Sequence, residues 1–108
     1  MVKTERQRYV RFRLFSERPV NADVKELAQA IWRQYNSLFG EVKSGKAGFW
    51  ITDYDVKSRE GTIRCSNTVL DELVASLTLI TTINDIEVAI DTIKTSGIHK
   101  KLPPVEST

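Results

Sequence analysis

Residues 46 to 66 constrain the fold more than any other part of the chain. Lys46-Ala47-Gly48-Phe49-Trp50-Ile51-Thr52-Asp53-Tyr54-Asp55 and Gly61-Thr62-Ile63-Arg64-Cys65-Ser66 read as the arms of a β-hairpin, with the charged turn Val56-Lys57-Ser58-Arg59-Glu60 between them. Successive strand side chains point to opposite faces of a sheet. One face therefore carries Phe49, Ile51, Ile63 and Cys65, and the other Trp50, Thr52, Tyr54, Thr62 and Arg64. A sheet surface that mixes aromatic and basic side chains suits RNA. Gly61 stands where the turn asks for a positive backbone angle.

The flanking segments alternate between the two common periods. Val10, Phe12 and Leu14 interleave with Tyr9, Arg11, Arg13 and Phe15, the pattern of a strand buried on one side. After Pro19, Asn21 is placed as a helix N-cap with Asp23 in the first turn. Val24, Leu27, Ala28, Ile31, Tyr35, Leu38 and Phe39 then recur at helical spacing, and Gly40 supplies the stop. A second helix starts near Asn67 or Thr68 and runs through Leu70, Leu73, Val74, Leu77, Ile80 and Ile83. Asn84-Asp85 makes a turn into an alternating strand, Ile86 to Ile93.

Strand, helix, strand, strand, helix, strand is the order of the split βαβ, ferredoxin-like and RNA-recognition-like arrangement. The predicted fold is α+β, a four-stranded antiparallel sheet with both helices on one face and strands one and three in the middle. Tyr9, Arg11, Arg13, Trp50, Tyr54 and Arg64 are expected on the open face. Val10, Phe12, Leu14, Phe49, Ile51, Ile63, Val88 and Ile90 are expected beneath the helices.

With 108 residues the chain suffices for one domain with its own core, expected over 1–102, followed by a flexible tail over 103–108 that starts at Pro103-Pro104. No apolar run is long enough for a membrane helix, and Met1 to Arg8 has no apolar signal core. The single cysteine excludes an internal disulfide, so a cytoplasmic location is the expectation. The net charge of +2 conceals an uneven distribution. Lys3, Arg6, Arg8, Arg11, Arg13 and Arg18 crowd the first residues and Lys94, Lys100 and Lys101 the last, while acids predominate from Asp53 to Asp91. Clustered cations attract phosphate polymers, although they also serve as solvated faces.

No catalytic constellation is visible. His99 has neither a nucleophile nor a metal partner nearby in sequence, and Cys65 falls on the buried face, where a thiol behaves as a small hydrophobe. Asp53 and Asp55 share a face by alternation, yet two carboxylates make an incomplete metal set and read as turn-flanking acids. The string Lys46 to Ile51 has the look of a ribonucleoprotein signature, but it occupies the second strand and not the third. Trp50 and Tyr54 are equally suited to stacking on bases and to a protein interface.

Arg8-Tyr9, Leu38-Phe39-Gly40, Ala47-Gly48-Phe49-Trp50, Gly61 to Ser66, Leu77-Thr78-Leu79-Ile80 and Thr95-Ser96-Gly97 occur in one order and spacing over residues 7 to 102. In this the chain resembles the archaeal ribonuclease P protein component 2 family, which is related to a eukaryal subunit of the same enzyme and of its mitochondrial-RNA-processing relative. Ile98 stands where that family often has threonine, which puts in doubt any role for the hydroxyl. The resemblance implies a protein cofactor of an RNA endonuclease that removes the 5′ leader of precursor tRNA. The same resemblance implies that the RNA does the cutting and holds the Mg2+, and that protein component 3 is the partner, in the two-plus-two assembly often formed in that family. In that setting Arg6, Arg8, Arg11, Arg13, Arg64, Lys100 and Lys101 are expected to meet phosphates, Trp50 and Tyr54 bases or protein, and Leu79 and Ile93 the protein partner. Two alternatives stay open: a stand-alone RNA-binding domain, and a regulatory module of the same fold that binds a small molecule. Ser16-Glu17-Arg18-Pro19, in place of a glycine-rich loop, disfavours the second.

Overall fold

Strand β1, Gln7–Phe15, forms where the alternation is sharpest: Val10, Phe12 and Leu14 are buried and their neighbours face outward. The computed structural model describes residues 6–20, 22–40 and 48–97. Helix α1, Val24–Phe39, buries Leu27, Ile31 and Tyr35, one residue per turn. Its cap is Asp23, two residues beyond the expected Asn21, which lies outside the described residues. The Asp23 carboxylate accepts from the Glu26 N–H at 2.8 Å while the Glu26 carboxylate accepts from the Asp23 N–H at 3.3 Å, a reciprocal capping box. The helix ends as expected at Gly40, whose φ of +86° suits a residue without a side chain and whose N–H donates to the Asn36 carbonyl.

Strands β2, Phe49–Asp55, and β3, Glu60–Ser66, form the expected hairpin. A short 3-10 turn, Asn67–Val69, leads into α2, Leu70–Leu79. That helix was expected to continue to Ile83. It stops earlier because Asn84 and Asp85, at φ 52° and 66°, form a two-residue left-handed turn between β4, Thr82–Ile83, and β5, Ile86–Glu87. The final strand β6 therefore begins at Ala89, not Ile86, and runs to Ser96. Ile83, Val88 and Ile90 still reach the core.

The main sheet has the order β2-β3-β1-β6, antiparallel throughout, so β3 and β1 are central as predicted. Leu27, Ile31 and Tyr35 of α1 and Leu73 and Leu77 of α2 join Val10, Phe12, Leu14, Phe49, Ile63, Cys65 and Ile90 in one core on one side of the sheet. Trp32 stacks on Phe49 with ring centroids 3.9 Å apart, fixing α1 against the edge strand.

Two irregularities alter which side chains face which way. In β2, Ile51 pairs with Ile63 but Asp53 pairs with Thr62, so Thr52 is an inserted bulge residue; its hydroxyl donates to the Thr62 carbonyl at 3.3 Å. Beyond it the alternation reverses. Tyr54, expected on the open face, turns to the helix side and lies nearly parallel to Phe12 at 6.1 Å, and Asp53 and Asp55 take the open face. In β6 the register shifts between Lys94, opposite Arg11, and Thr92, opposite Phe12, leaving Ile93 as the extra residue.

Gly61 is also needed for a different reason than expected. The left-handed residue of the β2–β3 loop is Arg59, at φ 60°, and Gly61 is not among the positive-φ residues. Gly61 lies between Tyr54 and Phe12 in the register, and a Cβ there would sit 2.6 Å from Phe12 Cζ. The missing side chain is what lets two rings from non-adjacent strands approach each other across β3.

Candidate nucleic-acid interface

The side of the sheet away from the helices is organised in cross-strand rows, because directly opposed residues share a face. Taken from β2 to β6, one row is Asp55, Glu60, Arg13 and Asp91. The next is Asp53, Thr62, Arg11 and Lys94, and the third is Trp50, Arg64, Tyr9 and Ser96. Arg11, Arg13, Arg64 and Trp50 thus share one surface, as expected. Lys94, Asp53, Asp55, Glu60 and Asp91 share it too. The Ile93 bulge brings Lys94 level with Arg11, and the Thr52 bulge brings Asp53 and Asp55 out, so both depend on register irregularities that simple alternation does not reveal.

The cations differ in their surroundings. Arg13 Nη2 lies 2.9 Å from Glu60 Oε2, an ion pair. Arg64 donates from Nε to Gln7 Oε1 at 3.1 Å and holds its guanidinium 5.0 Å from the centre of the Trp50 ring. Trp50 is 48% exposed on the outermost strand, with one ring face braced by a cation. Arg8, expected among the phosphate contacts, lies within β1 opposite Cys65, on the helix side and not the open face, where its Nε donates to Asn67 Oδ1 at 3.1 Å. Arg6 is exposed at the start of β1, beside a groove of about 350 Å³ lined by Arg6, Gln7, Arg8, Tyr9 and Gly97. Lys100, Lys101 and His99, and with them Lys46 and Ala47, lie outside the described residues.

Leu79, the last residue of α2, is 53% exposed, and Ile93 is 44% exposed at the edge-strand bulge. Cys65 is fully buried, and burial pushes its thiol up to about 11 even though the Arg8 charge pulls it the other way. It is no nucleophile at neutral pH. Burial likewise raises the Tyr54 phenol, opposed by Arg59 and reinforced by Asp55. Among the described residues, no group of three or more His, Cys, Asp or Glu is placed to hold a metal ion. No helix among them is long and apolar enough to cross a membrane.

What this surface can do chemically is attract a polyanion at its Arg11, Arg64 and Lys94 side and offer an exposed indole to a flat partner. Known proteins carry the same arrangement of chain. A chain in the cryo-EM structure of yeast ribonuclease MRP superposes with a TM-score of 0.76, covering 98% of this chain and 85% of its own length at 10% identity, a likeness of fold. Ribonuclease P protein component 2 of Thermococcus gammatolerans is 38% identical over 98 residues, 91% of this chain and 80% of that protein. The component 2 proteins of Thermococcus kodakarensis and Methanosarcina barkeri are 34% and 28% identical, over 91% and 89% of this chain and 80% and 68% of their own lengths. The Rpp14/Pop5 family matches residues 8–103, and with relatives 38% and 34% identical over most of the chain, the chain belongs to that family.

Proposed function

We propose that this chain is a protein subunit of ribonuclease P that binds the enzyme's RNA through the uncovered face of its sheet and so takes part in removing the 5′ leader of precursor tRNA. One observation carries the reading: in a member of this family, Arg11, Arg64 and an exposed Trp50 stand together on the face that no helix among the described residues covers. Cations there lower the repulsion between phosphates of a folded RNA, and the indole offers a stacking platform. The chemistry belongs to the RNA, and so do its Mg2+ ions. The chain's own carboxylates serve structure, Asp55 accepting from the Lys57 N–H at 2.9 Å and Glu60 holding Arg13.

Protein component 3 is the protein partner in this reading, and Leu79 and Ile93 are apolar positions exposed to meet it. The test is reconstitution. The RNA and the remaining protein subunits are assembled with and without this chain, and leader cleavage is followed as Mg2+ is lowered. Omission should raise the Mg2+ requirement or abolish turnover, and the chain alone should cleave nothing. Unchanged cleavage on omission, or cleavage by the chain alone, would refute the proposal.

A further inference from the structure

The uncovered face is electrically divided: the row at one end holds three acids, the middle row holds Asp53 on β2 with Arg11 and Lys94 further along it, and the third row holds none. At the end nearest the β2–β3 loop, Asp55, Glu60 and Asp91 surround a single guanidinium, Arg13, which is already paired with Glu60. One row further, the Arg11 guanidinium makes no hydrogen bond or ion pair with another described residue, and the residue stands level with Lys94. In the third row Arg64 spends Nε on Gln7 and its plane on Trp50, which leaves both terminal nitrogens without a described partner. Among the described residues of this face, the cations that a phosphate can recruit without breaking a contact therefore lie away from the acidic row.

We infer that a single-stranded segment of RNA crosses the sheet from Trp50 over Arg64 and Arg11 to Lys94, and that the acidic row bounds it and excludes it from Arg13. The inference rests on the RNA-binding reading above and adds the form of the ligand, its path and its limit. Crossing four strands means about 14 Å, a length that suits the two or three bases such sheets stack. A base laid on the exposed face of Trp50 places its own phosphate near Arg64, since the guanidinium lies 5.0 Å from that ring. A duplex keeps its bases stacked internally and has none to offer the indole. Arg13, counted by sequence among the phosphate contacts, becomes a structural residue of the acidic border.

The experiment uses the full chain and short labelled oligouridylate, with the same strand annealed to its complement as competitor, and measures anisotropy over a series of salt concentrations. Arg11→Ala and Arg64→Ala should each flatten the log–log salt slope by about 0.7, the value for one phosphate on a single strand. Arg11→Lys should restore the slope. Trp50→Ala should weaken binding on the order of tenfold with little change of slope. Arg13→Ala should leave the slope as it was, and Asp91→Asn should tighten binding. A slope that falls equally for Arg13→Ala and Arg11→Ala, or a duplex that competes as well as the single strand, would overturn the inference. If the chain restores leader cleavage in the assembled enzyme yet ignores oligouridylate, the single-strand path fails and the subunit reading stands. If it does neither, both fail.

Discussion

Replacing Gly61 by alanine tests whether the stacked pair Phe12 and Tyr54 is built across a position that must carry no side chain. The added Cβ would meet Phe12 Cζ at 2.6 Å, Phe12 Cε1 at 2.8 Å and the Asp53 carbonyl oxygen at 3.0 Å. Carbon atoms rest about 3.5–4.0 Å apart, so the ring must retreat by roughly 1 Å. Phe12 is 0% exposed in the middle of the core, so a shift of that size disturbs its neighbours. Overpacking of this kind costs about 1–3 kcal/mol. A loss near 2 kcal/mol lowers the melting temperature of a domain this size by roughly 8–15 °C. Thermal unfolding followed by circular dichroism gives the shift. The double variant Gly61→Ala with Phe12→Leu separates crowding from any backbone effect, because a smaller side chain at 12 should recover part of the loss and make the pair non-additive. Gly61→Ala melting within a degree of the parent, or strict additivity in the double variant, would refute the spatial argument.

Three further outcomes follow from the same structure. Because Cys65 is held at about 11 against an ordinary 9.0, the folded chain keeps a proton that the unfolded chain loses between those values. Its contribution is intact below pH 9 and falls as pH rises toward 11, by on the order of 2 kcal/mol. Urea unfolding of the parent against Cys65→Ala should show the parent losing more stability over that window, and parallel losses would contradict it. Asp85→Gly removes a side chain from a left-handed position in the β4–β5 turn and should raise the melting temperature by about 2–4 °C, as expected for roughly 0.5 kcal/mol. Asp23→Ala deletes the reciprocal cap of α1 and should cost about 1 kcal/mol in chemical denaturation, whereas Asp23→Ser should cost far less.

Period alone carried most of the architecture. The runs around Phe12, Ile31 and Ile63 are long and regular, and each burial pattern allows one orientation of its element, which explains why the strand order and the helix-covered face were legible. Alternation fails wherever one residue is inserted, and nothing local marks Thr52 or Ile93 as bulges. The hydroxyl that bonds the Thr62 carbonyl is an ordinary threonine in sequence. Hence simple alternation puts Tyr54 on the wrong face and gives no place on the open face to Lys94, which sequence shows only as part of a charge cluster. Gly61 was read through backbone freedom because a glycine next to a turn usually serves that purpose, whereas its role here depends on Phe12, forty-nine positions earlier in the chain. The Asn84-Asp85 turn was visible, but its consequence, two short strands in place of a helix end and a strand start, depends on how tightly a two-residue left-handed turn reverses the chain.

The measurement that bears most directly on the uncovered face as the RNA surface is ultraviolet cross-linking of the bound chain to ribonuclease P RNA, with the attached residues identified by mass spectrometry. Trp50 and Tyr9 are open-face aromatics, while Trp32, Tyr35 and Tyr54 lie on the helix side of the same sheet and serve as internal controls. Cross-links concentrated at Trp50 and Tyr9, and lost when high salt releases the complex, are the predicted result. Cross-links confined to Trp32 and the other residues of α1, with Trp50 untouched, would contradict it.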